Sequence, residues 1–223
     1  KSYESNLYNK THLEAMVYGD YVEQDAKKVL SIFKSKTKTE GISKEDAFEL
    51  GYLNMSKPES VQYVDKLLVN NSCFFRMYEI GKDSPKTRAL AALIGKAVEQ
   101  PFYTEMRTNQ QLGYIVASYT MSYDETYYLN FLIQSGDYPA DDLNSRANTF
   151  ISSTPKIVEE LTDETFQQLI DSAIERLERK PMSISERAMK NKNLIFEHNR
   201  DFERDNKTIE ALGEVKKEEV AIH

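Results

Sequence analysis

The chain has 223 residues, of which 40% are hydrophobic and 11% aromatic, with only 8 Gly and 6 Pro, so it is neither disordered nor collagen-like and is long enough to bury a core. The 29 basic and 36 acidic side chains leave a formal charge of −7, which argues against nonspecific binding to nucleic acid or to an anionic membrane. The single cysteine, Cys73, excludes a disulfide framework and a multi-cysteine metal site, and the longest apolar run, Ala89 to Ile94, is too short to span a bilayer.

Thr11 to Tyr18 alternates weakly and closes on Gly19-Asp20, which predicts a strand running into a helix capped by Asp20. Val22, Ala26, Val29, Leu30 and Phe33 share one stripe, so a helix is expected over 22–33, followed by a polar surface loop over 34–46. Ser60 to Val69 and Ser72 to Gly81 read as strands about Asn70-Asn71, a pair that tolerates positive φ, and so as a hairpin. Cys73 falls in the second strand, where a buried, inert thiol is expected.

Ser84-Pro85 places a cap before a proline at the first helical position, and Leu90, Leu93, Ile94, Ala97 and Val98 supply the apolar face of a helix ending near Gln100. Pro101 is expected to break or restart it, with a shorter helical piece through Met106 and Arg107. Two strands, Leu112 to Tyr123 and Thr126 to Ser135, form a second hairpin about Asp124-Glu125. After Pro139 the pattern is helical: Thr162-Asp163-Glu164 opens one helix, and Ser183 with Glu186 has capping-box spacing for another. This order predicts an α+β two-layer sandwich, helices packed on one face of a mainly antiparallel sheet.

The residues offer little chemistry of their own. None of the three histidines, His12, His198 and His223, has a second histidine within a helical turn, so no zinc motif is present and no metal site is expected in this chain. A serine-nucleophile elbow and a phosphate-binding loop are also missing from the sequence. The sharpest segment runs from Glu99 to Val116, where Arg107 at a helix end and Tyr114 at a strand entry bring two hydrogen-bond donors toward one end of the sheet. On local grounds alone, Arg107 would interact with its helix C-terminus and Tyr114 would be an ordinary half-buried strand residue.

The pattern Pro101-Phe102-x-x-x-Met106-Arg107-Thr108-x-x-Gln111-Leu112-Gly113-Tyr114-Ile115-Val116 resembles the signature of the C-terminal half of the pitrilysin/insulinase zinc peptidases. Asn9 to Asp20, Phe131 to Ser135, Thr162 to Leu177 and Asn199 to Asn206 also fit the last of that family's four homologous domains. The resemblance implies a metallopeptidase LuxS/MPP-like fold for a single C-terminal domain over 1–223, of the inactive type, with no cofactor of its own. It implies that zinc belongs to a catalytic domain in the N-terminal half of the same enzyme, and that the two halves close as a clamshell on peptide substrates. Arg107 and Tyr114 are then the substrate-binding residues, with Tyr114 as the catalytic donor to a carbonyl oxygen on which negative charge develops. A fixed cation with several donors suits Arg107 to hold a neighbouring substrate carbonyl.

Two features depart from the family pattern. Asn109-Gln110 stand where many relatives carry charged residues, and the chain stops in a helix-like run, Lys216 to Ile222, where relatives continue to a final strand. A truncated sheet is expected to favour self-association through an unpaired edge. The alternative function is a non-catalytic binding or scaffold subunit paired with a separate active zinc peptidase chain. The compartment stays open: periplasmic in a Gram-negative source, otherwise cytoplasmic.

Overall fold

The computed structural model describes residues 9–37, 40–47, 60–66, 68–123 and 125–221, and the chain divides into two compact units, 1–59 with 181–201 and 60–180 with 202–223. In the first unit, β1 (Lys10–Thr11) pairs in parallel with β2 (Glu40–Gly41) on either side of helix α1 (Glu23–Thr37). The strand expected over 11–18 is therefore confined to its start, where the His12 ring nitrogen lies 3.3 Å from the Ile42 carbonyl oxygen. The helix expected over 22–33 begins at Glu23, one residue later, and runs through Thr37 into what the sequence suggested was loop. No residue of α1 is buried, and Val29, Ile32 and Phe33 are about half exposed. Helix α5 (Ile184–Phe196) completes the unit, with the Ser183 hydroxyl accepting from the Glu186 N–H as the capping-box spacing predicts, while the Glu186 carboxylate accepts from the Met182 N–H, one residue before the cap, rather than from the Ser183 N–H.

The second unit is built on a three-stranded antiparallel sheet in the order β3 (Ser72–Lys82), β5 (Thr126–Ser135), β4 (Ile115–Tyr123). The central strand is the most buried: Leu129, Phe131 and Ile133 alternate toward the helices, which is what a strand paired on both sides requires. The β4–β5 hairpin closes between Tyr123 and Thr126, with Glu125 at φ +57°; Asp124 lies outside the described residues. The hairpin expected over 60–81 does not form. Residues 60–66 have no regular structure, Val61, Tyr63 and Val64 are largely exposed, and β3 pairs instead with β5. Cys73 is exposed rather than buried, because the β3–β5 register puts it on the sheet face opposite Phe74, which faces the core. Burial by its neighbours still pushes the Cys73 thiol up, against thiolate formation.

Helix α2 (Pro85–Tyr103) lies across the inner face of this sheet. The Ser84 hydroxyl accepts from the Thr87 N–H, and Pro85 follows at the first position, as the sequence pattern predicts. Ala89, Leu93, Val98 and Phe102 are fully buried on its core side. The helix meets β4 closely: a methyl placed on Gly95 would sit 3.0 Å from the Thr120 Cγ2, so the threonine side chain would have to shift by a few tenths of an ångström to admit it. Pro101 does not break the helix. The chain passes through it into a π-helical segment, Thr104–Asn109, and the Thr104 N–H reaches the carbonyls of both Gln100 and Pro101.

Helix α3 (Ala140–Glu159) packs on α2 and β3, and helices α4 (Asp163–Glu178), α6 (Arg204–Glu214) and α7 (Lys217–Ala221) complete the helical layer. Thr162 caps α4 through the Thr165 N–H, worth about 1 kcal/mol. Phe102 anchors the core with edge-on contacts to Phe131 of β5 and Phe150 of α3, at centroid distances of 5.0 and 5.3 Å. This is the α+β two-layer arrangement that the element order predicts. At the end of the sheet where β3 stops, Asp83 accepts from Arg88 and from Arg204, and Arg204 also donates to the Tyr127 hydroxyl at 3.0 Å. The three side chains tie the start of α2 to the start of α6.

Candidate substrate-contact site

The opposite end of the sheet, where β5 ends and β3 and β4 begin, carries the residues that the sequence singles out. Met106 is fully buried inside the π-helical segment, and its neighbour Arg107 is half-buried beside it. The segment closes with the Gln110 N–H on the Glu105 carbonyl and the Leu112 N–H on the Met106 carbonyl. Gln111, at φ +54°, turns the chain, Leu112 plugs fully into the core, and Gly113 brings the backbone against β5. A methyl at position 113 would stand 1.9 Å from the Gln134 carbonyl oxygen, a contact that no side chain survives. Leu112 and Gly113 thus precede the strand expected to start at 112; β4 begins at Ile115.

This path leaves Tyr114 on the surface, 86% exposed, rather than half-buried as local strand character would suggest. The guanidinium carbon of Arg107 lies over its ring, 5.6 Å from the centroid. The two sequence-nominated residues are therefore in contact, a cation on a ring face, which holds an otherwise exposed phenol in a defined place. Among the described residues neither the Arg107 N–H groups nor the Tyr114 hydroxyl has a hydrogen-bond partner, and Arg107 has no carboxylate partner. Arg107 is thus a half-buried cation without a protein counter-ion, and Tyr114 an exposed phenol whose hydroxyl meets no protein acceptor among the described residues. Tyr114 also borders a cleft of about 260 Å³ with Asn70, Asn71, Ile115, Gln134 and Gly136. Sequence reasoning placed Asn70-Asn71 in a hairpin turn and missed their position beside Tyr114, since that depends on the β3–β5 pairing.

Behind the π-helical segment a second, open groove of about 650 Å³ runs between it and α3, floored by Met106 and Phe150. Its rim holds a polar chain. Asn109 Nδ2 and Gln110 Nε2 donate to the two oxygens of Glu105 at 2.7 and 2.8 Å, and Arg146 Nη1 donates to Gln110 Oε1 at 3.2 Å. The hydrogen bonds from Gln110 and then Asn109 lower the Glu105 carboxyl below its ordinary value. No group of three or more His, Cys, Asp and Glu side chains converges among the described residues, so the residues on view do not fit a zinc ion.

A family model described as PQQ synthase PqqF-like, C-terminal lobe domain 4, matches residues 93–192, the stretch that carries Arg107 and Tyr114. Human insulin-degrading enzyme is 27% identical over 226 residues, covering 99% of this chain. The chain is thus similar to the C-terminal part of insulinase/pitrilysin-family peptidases. A nardilysin-like protein of Arabidopsis thaliana is 26% identical over 83% of the chain. A crystal structure of pitrilysin superposes with a TM-score of 0.74 over 92% of the chain at 22% identity, which speaks to the fold alone. The chain spans 22% of the length of the human relative and 22% of the pitrilysin chain.

Proposed function

We propose that this chain is the substrate-binding and transition-state-stabilising part of a zinc metalloendopeptidase that degrades oligopeptides. The contact between Arg107 and Tyr114 carries the reading: two unsatisfied donors, one charged and one neutral, held together at an exposed end of the sheet. In peptide hydrolysis the carbonyl carbon becomes tetrahedral and its oxygen gains negative charge. A donor already in place at that oxygen lowers the barrier without reorganising at the moment of reaction. Tyr114 fills this role, since its ring is fixed by Arg107 and its hydroxyl is free. Arg107 holds a neighbouring peptide carbonyl and adds positive potential where the charge develops.

The metal that polarises the scissile bond belongs, in this reading, to the N-terminal catalytic half of the same enzyme. This chain contributes binding, orientation and hydrogen-bond donation. Replacing Arg107 by Ala in the enzyme that contains this chain is the test. A carbonyl-holding cation acts in the ground state as well as in the transition state, so kcat should fall and KM should rise together. An Arg107→Ala enzyme with both constants unchanged contradicts the proposal.

A further inference from the structure

The polar chain on the back of the π-helical segment ends on the segment that carries Arg107. Asp142 accepts from Arg146 Nε at 2.9 Å, and the Arg146 guanidinium carbon lies 5.3 Å from the centroid of the Tyr138 ring, so that side chain is held from two directions. Its remaining fork reaches Gln110, whose amide bridges on to Glu105. Gln110 can make this bridge because it is both acceptor and donor: Oε1 takes the hydrogen bond from Arg146 while Nε2 gives one to Glu105. A π-helical turn is rare and occurs mostly as a single-turn bulge in an α-helix. Here Glu105 collects Asn109 and Gln110 across the width of the turn, and Arg107 lies between them in sequence.

We propose that Arg146 and Gln110 are positioning residues that set the place of Arg107 over Tyr114 by clamping the π-helical turn from α3. The inference rests on reading Arg107 and Tyr114 as substrate contacts, and it goes beyond that reading by naming what holds them. Gln110 is the link between α3 and the turn. A glutamate there could still accept from Arg146 but would face Glu105 as a second carboxylate, and the bridge would open.

The chain contains no tryptophan, so Tyr114→Trp places a single, selectively excitable indole at the site. In that background, Arg107→Ala should strip the guanidinium from the one covered face of the indole, seen as a change in emission intensity and a rise in acrylamide quenching. Arg146→Ala and Gln110→Glu should each reproduce this change with far-UV circular dichroism and Tm retained. Combining either with Arg107→Ala should add nothing further. The exchange Glu105→Gln with Gln110→Glu restores an acceptor for Arg146 and a donor–acceptor pair across the turn, and should return the emission to its starting value.

The proposal is overturned if Arg146→Ala and Gln110→Glu leave emission and quenching unchanged while Arg107→Ala shifts them. It is equally overturned if Arg107→Ala has no effect on the indole, or if the exchange fails to restore the signal in a folded protein. Peptide hydrolysis by the enzyme containing this chain separates the two ideas. Full activity in Arg107→Ala overturns the functional reading, whereas the fluorescence alone decides the clamp.

Discussion

Arg107 and Tyr114 belong to different elements, a π-helical turn and the approach to a β-strand, yet the guanidinium carbon of one lies 5.6 Å from the ring centroid of the other. Their contact depends on the residues between them. Gln111 adopts a left-handed backbone, Leu112 is driven into the core, and Gly113 passes under the Gln134 carbonyl. Each step removes one way for Tyr114 to turn inward, and the arginine covers one face of the ring that emerges.

Gly113 is the most restrictive of these positions. Its replacement by Ala puts a methyl 1.9 Å from a backbone oxygen of the central strand, where no rotamer can relieve the overlap. Gly113→Ala should therefore cost about 2–3 kcal/mol, read by chemical or thermal denaturation, since an overlap in a well-packed region displaces backbone. An alanine variant as stable as the parent chain would mean that β4 and β5 are farther apart at Gln134 than described.

The Asp83 cluster sets the low-pH behaviour. Burial raises the Asp83 carboxyl, but hydrogen bonds from Arg204 and Arg88 outweigh it, and the folded-state value lies below the ordinary 3.8. The unfolded chain then takes up this proton more readily than the folded one, so the cluster's contribution is complete above about pH 4 and is lost as the pH falls through the folded-state value. Asp83→Asn leaves two buried guanidinium groups without their charge partner and should cost about 3 kcal/mol at pH 7. In Tm measurements between pH 7 and pH 2.5, the gap between the two proteins should narrow only at the acid end. A gap that stays constant with pH would show that Asp83 is not ionised in the folded state.

Much of this architecture is legible in the residues, and the failures have identifiable physical causes. Ser84-Pro85, Thr162 and Ser183 with Glu186 act locally, because a capping side chain meets a backbone N–H a few residues away. The β4–β5 hairpin is also local, its strands joined by a tight turn at Glu125. Ser60 to Val69, by contrast, has strand-like residues, but β-propensity only reports fitness for a pleated surface, and β3 found β5 as its partner. Pro101 lacks an N–H, which predicts a break or a restart of the helix there. Phe102, fully buried against Phe131 and Phe150, keeps the chain on its course. The pairing of Arg107 with Tyr114 needs the π-helical turn, which no local pattern announces. The clamp through Arg146 joins residues from two separate helical segments and is likewise invisible before folding.

The chain by itself should hold no stoichiometric zinc and hydrolyse no peptide, because donors can stabilise a developing oxyanion but cannot by themselves supply the nucleophile. Metal analysis after dialysis, with a peptide-cleavage assay on the same sample, checks both. One zinc per chain that disappears on replacing His12 or His198, or turnover that resists chelators, would contradict the division of labour proposed above.

The central claim is that the Tyr114 hydroxyl donates to the oxygen on which charge builds, and steady-state kinetics of Tyr114→Phe in the enzyme containing this chain test it most directly. The ring and its contact with Arg107 remain, and a side chain 86% exposed contributes little to folding through its hydroxyl, so Tm should not change. The account predicts a fall in kcat of roughly 10²- to 10³-fold, about 3–4 kcal/mol, with a smaller change in KM. A Tyr114→Phe enzyme that keeps its full kcat and its Tm would contradict it.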